Sequence, residues 1–131
     1  MRAEQQIELV EAYFSAVDGE DLPRVLGMLT KDCVFTVETH GVELRGHEEI
    51  ADMFRRLWTG HRAVLHEDFI HVPDPESGRI ASRFKVVNTE LDGRLAYKSN
   101  CNFFEIDGEL FDRVAVYMAG KNTLDRYDRR T

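Results

Sequence analysis

The sequence predicts an α+β fold in which a curved sheet lies over N-terminal helices. Residues 79–90, 94–106 and 109–119 are long, apolar-rich stretches separated only by Leu91-Asp92-Gly93 and Asp107-Gly108. Asp-Gly between alternating runs is a strong hairpin signal, because glycine takes φ > 0 without a Cβ clash. Helical patterns precede this meander and no long helix follows it, so the N-terminal helices have to cover one face of the sheet. A curved sheet wrapped over helices encloses a space, and function is expected there.

In chain order, residues 4–17 place Ile7, Val10, Phe14 and Val17 on one stripe, widened by Leu9, Tyr13 and Ala16. That is a helix with a broad buried face, ended by Asp18-Gly19-Glu20. Asp21 caps a short second helix with Pro23 near its first turn. Strand 33–39 puts Cys33, Phe35 and Val37 on one face, and His40-Gly41 turns into a short strand at 42–45. A third helix over 47–58 carries Glu48 and Glu49 at its positive end and stops at Thr59-Gly60. Strand 62–72, the turn-rich Pro73 to Gly78 and the meander complete the order ααββαββββ.

A chain of 131 residues is long enough to bury a core and reads as one domain, with its core at about 4–124 and a charged tail at Asp125–Thr131. Its 24 acids outnumber its 17 bases, which excludes nucleic acid as a natural partner. Met1 to Gln6 is polar, and no apolar run approaches the roughly 20 residues that span a bilayer; no secretory signal or membrane partner is expected. Cys33 and Cys101 lie among apolar neighbours and form no disulfide framework, so the expected location is cytoplasmic. No metal-ligand spacing, Walker motif or dinucleotide glycine pattern occurs, so neither metal nor cofactor is expected.

Three stretches carry a family resemblance. They are Ala12-Tyr13-Phe14 through Gly19-Glu20-Asp21-Leu22 to Thr30-Lys31-Asp32-Cys33-Val34-Phe35; Arg45-Gly46-His47-Glu48-Glu49-Ile50; and Phe104-Glu105-Ile106-Asp107-Gly108 with Val114-Ala115-Val116-Tyr117 and Gly120-Lys121-Asn122. In order and spacing the chain resembles the NTF2-like superfamily, and within it the SnoaL-like and ketosteroid isomerase-like proteins. The resemblance implies a cone: a bent mixed or antiparallel sheet around helices, the cystatin-like α+β barrel, with an apolar pocket at one end. It also implies dimerisation through the outer face of the sheet. The fold hosts unrelated activities.

Set on the ketosteroid isomerase pattern, the chain keeps Tyr13 at the tyrosine position. It has Val37 where the base belongs, with Glu38 one residue later on the opposite face of the strand, and Asn102 where the late aspartic acid belongs. Tyr13 reads either as a donor to a substrate oxygen or as an amphipathic core tyrosine. Asn100 and Asn102 share one face of strand 94–106 and need partners when buried; a ligand, water, a bulge or neighbouring backbone would each serve. Facing a cavity, they suit oxyanion stabilisation but not proton transfer.

For the proton carrier, His66 alternates with Val64, Ile70 and Val72, and Asp112 shares the parity of Val114, Val116 and Met118. Polyketide cyclases of the family resemble a His-plus-Asp arrangement, which makes His66 with Asp112 the preferred pair; the competing reading has both facing solvent or a dimer partner. His40, His47, His61 and His71 read as loop or surface residues. His66 and His71, five positions apart, should fall on opposite faces and make a poor metal pair. From the strands Phe35, Val37, Val116 and Met118 are expected to line the pocket. Met53, Phe54 and Trp58 of the third helix, with Phe104, should close it. Arg113 pairs across to Glu105 or Glu109 on the outer face.

The functional expectation is a cofactor-free acid–base enzyme that isomerises, cyclises or dehydrates a small apolar, oxygenated molecule. The alternative is a non-catalytic ligand-binding or dimerisation module. A protein adaptor of the nuclear-transport kind shares only the fold.

Overall fold

The computed structural model describes residues 1–120 and Leu124. The tail read at Asp125–Thr131 lies outside them, as do Lys121 and Asn122 of the last resemblance motif. Three helices and six strands follow the expected order: α1 (Ala3–Asp18), α2 (Leu22–Leu26), β1 (Leu29–Val37), β2 (Val42–Arg45), α3 (Gly46–Thr59), β3 (Ala63–Asp74), β4 (Arg79–Thr89), β5 (Leu95–Asp107) and β6 (Leu110–Tyr117). A 3-10 turn at Glu38–His40 separates β1 from β2. Strand β1 thus begins four residues before the expected strand and ends two residues short of it. Gly41, at φ +67°, closes the 3-10 turn.

Local chemistry sets the helix ends. The Asp21 carboxylate accepts the Arg24 N–H at 3.2 Å and caps α2. Glu49 reaches back to accept the Arg45 N–H at 2.9 Å at the start of α3. Apolar spacing then aims Val10, Tyr13, Phe14 and Val17 of α1 and Ile50, Met53, Phe54 and Leu57 of α3 into one core.

The six strands form one curved, unclosed sheet in the order β2-β1-β6-β5-β4-β3. All neighbours are antiparallel except β1 and β6, which run parallel. Helix α1 covers the β3–β4 side of the inner face and α3 covers the β1–β2 side. Gly108 (φ +66°) makes the tight β5–β6 turn and Gly93 (φ +92°) lies in the β4–β5 turn, as the Asp-Gly pairs predict.

Two β-bulges decide which side chains point inward. In β3, Asp68 and Phe69 stand opposite the single Phe84, with Asp68 in the left-handed region at φ +57°. Inward parity therefore changes from Val64 and His66 before the bulge to Phe69 and His71 after it. In β6, Glu105 faces Arg113 while the next β5 residue, Ile106, faces Phe111, so Asp112 is the extra, unpaired residue. Phe111 and Val114 both point into the core, and Asp112 is exposed.

The outer face carries exposed Ile70, Val72, Tyr97, Phe103 and Tyr117. Beside them Glu105 lies between Arg79 (3.7 Å) and Arg113 (3.9 Å), so the expected cross-strand pair forms with Glu105. Among the described residues no helix is long and apolar enough to cross a membrane.

Candidate functional site

Between α1, α3 and the inner face of the sheet lies a cavity of about 40 Å³. Among the described residues its wall is apolar except for His66, Tyr13 and three asparagines, Asn88, Asn100 and Asn102. The Phe14 ring lies tilted over the His66 ring, with centroids 4.5 Å apart and an interplanar angle of 32°, and the Phe84 ring stands edge-on to it at 5.4 Å, next to Phe14.

Asp18, the last residue of α1, fixes that imidazole. Its Oδ1 accepts from His66 Nδ1–H at 2.5 Å and its Oδ2 accepts the His66 backbone N–H at 2.8 Å. Both side chains are largely buried. The tautomer follows from the network: a carboxylate at Nδ1 requires a proton there, which leaves Nε2 as the acceptor of the neutral ring. Nε2 has no partner among the described residues. A carboxylate-oriented histidine on an apolar cavity wall can take a proton from a bound molecule and return it.

Tyr13 meets Phe14, Phe54, Phe104 and Phe111 edge-on, with centroids 5.1 to 6.4 Å apart. Burial, and secondarily the neighbouring Cys33, hold its phenol well above its ordinary pKa. Tyr13 therefore stays neutral and keeps its O–H as a donor.

The asparagines divide into two kinds. Asn100 Oδ1 accepts the Ala119 N–H at 3.0 Å, so neighbouring backbone uses that amide. Asn88 and Asn102 are buried, and each keeps an amide oxygen with no hydrogen-bond partner among the described residues.

Of the residues expected at the pocket, His66, Tyr13, Asn100, Asn102, Phe35 and Phe54 line it, as do Val116 and Met118. Val37, Met53 and Phe104 are core residues instead. Trp58 stacks on Phe54 and donates from Nε1 to the Val17 carbonyl at 3.0 Å, which joins α3 to α1. Asp112 does not meet His66. The bulge turns it outward, where it accepts from Thr30 Oγ1 at 2.9 Å. Glu38, in the 3-10 turn, is exposed.

Of the other histidines, expected as loop or surface residues, His61 does lie in the loop between α3 and β3 and His40 in the 3-10 turn, whereas His47 is on α3 and His71 on β3. His40 is buried against Thr39, His47 contacts the Leu29 and Thr30 carbonyls, and His61 contacts the Leu57 carbonyl. His71 shares the inner face with His66 because of the β3 bulge. Its Nδ1 lies 2.7 Å from Ser82 Oγ and its Nε2 2.8 Å from Glu11. No group of three metal-ligating side chains occurs among the described residues.

Asp18 and Asn88 were not singled out from the sequence. Asp18 looked like a helix terminator. Asn88 continues the inward parity of Phe84 and Val86 in β4, and that alternation was its available signal.

A family model for the SnoaL-like domain matches residues 10–114. The chain belongs to the SnoaL-like family, within the NTF2-like superfamily. Among solved structures, this SnoaL-like chain is similar to a protein assigned as a polyketide cyclase from Xanthomonas campestris pv. campestris, at TM-score 0.80 and 19% identity over 88% of this chain and 90% of that one. A second protein so assigned, from Pseudomonas putida KT2440, gives TM-score 0.77 and 23% identity over 84% and 88%. PrhC from Penicillium brasilianum NBRC 6234 gives TM-score 0.79 and 17% identity over 89% and 82%. At these identities the likeness is one of fold. A search of curated proteins finds no match.

Proposed function

We propose that this SnoaL-like protein performs cofactor-free acid–base chemistry on a small, apolar, oxygenated molecule, of the isomerase, cyclase or dehydratase type. The observation that carries this reading is the Asp18–His66 pair on the cavity wall. His66 Nε2 takes the proton, Asp18 fixes the tautomer and stabilises the imidazolium, and neutral Tyr13 donates to the developing oxyanion. Fold relatives assigned as polyketide cyclases support the class of reaction by analogy.

The test is α-proton exchange of small apolar ketones in D2O, followed by NMR. Exchange above the buffer rate that disappears in His66→Gln, with the fold intact, is the expected result. Saturable binding of the ketones with no exchange would replace this reading with the non-catalytic one.

The same proposal places the protein in a reducing, cytoplasmic setting, in keeping with its two free cysteines. It also makes the protein a homodimer through the outer sheet face, whose exposed aromatics otherwise stand in water.

A further inference from the structure

We propose that Trp58 is a positioning residue for the Asp18–His66 pair: its indole N–H fixes the C-terminal turn of α1 against α3, so that the Asp18 carboxylate reaches the imidazole. This deepens the acid–base reading above and rests on it for the kinetic consequence alone.

Asp18 is the last residue of α1, and a helix end is held by whatever satisfies its last carbonyls. Three bonds do so from within the turn. Gly19 N–H reaches the Ser15 carbonyl at 2.9 Å, Glu20 N–H reaches Val17 at 3.1 Å, and Asp21 N–H reaches Ala16 at 2.9 Å. They hold the turn to itself and do not set where it lies in the fold. The Trp58 indole does, because its Nε1–H crosses from α3 to the Val17 carbonyl at 3.0 Å, one residue before Asp18. The donor is itself fixed. Its ring stacks on Phe54 with centroids 5.5 Å apart, and Phe54 meets Tyr13 and Phe35 edge-on.

The same bond bears on charge. Asp18 carries its carboxylate at the negative end of α1, where an anion is disfavoured, and no basic side chain lies in the last turn of that helix. An N–H donated to the adjacent carbonyl offsets part of that field. Asp18 is then free to place one oxygen on His66 Nδ1–H and the other on the backbone N–H. Without the indole donor, the carboxylate has to tie α1 to β3 and orient the ring at once. A carboxylate that drifts from Nδ1 no longer dictates which ring nitrogen keeps the proton. Trp58 is not among the residues that line the cavity, so its N–H acts through Asp18 and not on a bound molecule.

Nitrogen-15 NMR of the imidazole rings tests this at about pH 8, where an ordinary imidazole is neutral. The variant carries 3-benzothienylalanine at position 58, which keeps the ring shape and puts sulfur in place of the N–H. Trp58 is the chain's only tryptophan, so global replacement changes this one position. His66 should show the Nδ1–H tautomer in the wild type and a mixture with the Nε2–H form in the variant, with the native amide spectrum otherwise retained. In ketone exchange kcat should fall about tenfold, as a small misplacement of a catalytic group does, with KM unchanged. Should the sulfur variant fail to fold, Trp58→Phe gives the same reading. Ile80→Val, a core truncation in β4, lowers stability without touching this bond and should leave the His66 signals in place.

An unchanged His66 tautomer without the indole N–H, the same change in Ile80→Val, or a raised KM at constant kcat would each overturn the proposal. A wild type that exchanges no ketone would remove the catalytic reading and leave the tautomer to decide this one. Exchange in a protein whose His66 tautomer ignores residue 58 would do the reverse.

Discussion

Asp18 holds His66 through both of its oxygens, one on the ring and one on the backbone, so its charge and its geometry can be separated by mutation. In Asp18→Asn the amide keeps an oxygen for the backbone N–H, but its nitrogen now faces Nδ1. The neutral ring is then driven to carry its proton on Nε2, the wrong tautomer for a base. Ketone exchange should fall by about 10²-fold or more, while the melting temperature moves by only a few degrees. Equal exchange in Asp18→Asn and wild type would remove Asp18 from the mechanism.

Cys33 gives a second prediction at this scale. Burial first, then the charge of Asp112, partly offset by Arg113, pushes its thiol from 9.0 up to about 12. A group raised on folding leaves stability untouched below its unfolded value and lowers it as pH climbs toward the folded one. The urea midpoint should thus hold to pH 9 and fall between pH 9 and 12, less steeply in Cys33→Ala. Thiol labelling at pH 8.5 should modify the half-buried Cys101 and spare Cys33; rapid labelling of both in the folded protein would contradict the burial argument.

At the scale of elements, the bulge in β3 carries the site. Without the extra residue at Asp68 and Phe69, His71 would face outward and lose Ser82 and Glu11. Asp68 holds φ +57°, a region that costs a β-branched residue roughly 1–2 kcal/mol and glycine nothing. Asp68→Val should therefore destabilise by about that amount and Asp68→Gly should be neutral or slightly stabilising, as read from urea midpoints. An Asp68→Val protein as stable as the wild type would argue against the bulge.

The same device marks the limit of what the sequence reveals. Element order was legible because apolar periodicity, Asp-Gly turns and helix caps are local. Strand alternation was legible as well: it put Asn100 and Asn102 on one face and His66 with Val64, but it also grouped His66 with Ile70 and Val72, which the β3 bulge turns outward. Alternation fails where one residue is inserted, and no local signal announced the extra Asp112 or the Asp68 turn. Asp112 was therefore expected beside His66, while Asp18, 48 positions from His66, was read only as the end of a helix. That pairing depends on how α1 crosses the sheet, which no short-range pattern encodes.

At the scale of the molecule, the outer face sets the expected assembly. Tyr97 and Phe103 leave substantial ring area in water, and a 15.2 kDa chain that buries this face should scatter light as a species of twice its mass. Tyr97→Glu/Phe103→Glu should return it to monomer with the fold retained; a wild type that is already monomeric at micromolar concentration would contradict the dimer. The sheet order has a consequence for biogenesis. Strand β6 lies between β1 and β5, and among the described strands it leaves the ribosome last. Until then β1–β2 and β3–β4–β5 are separate sheets, each with a raw edge that only β6 can cover. The closing contact joins Leu29 to Phe111, a long loop to close and a slow, aggregation-exposed step. Translation that stops short of Leu110 would leave two sticky half-sheets rather than a smaller working cone.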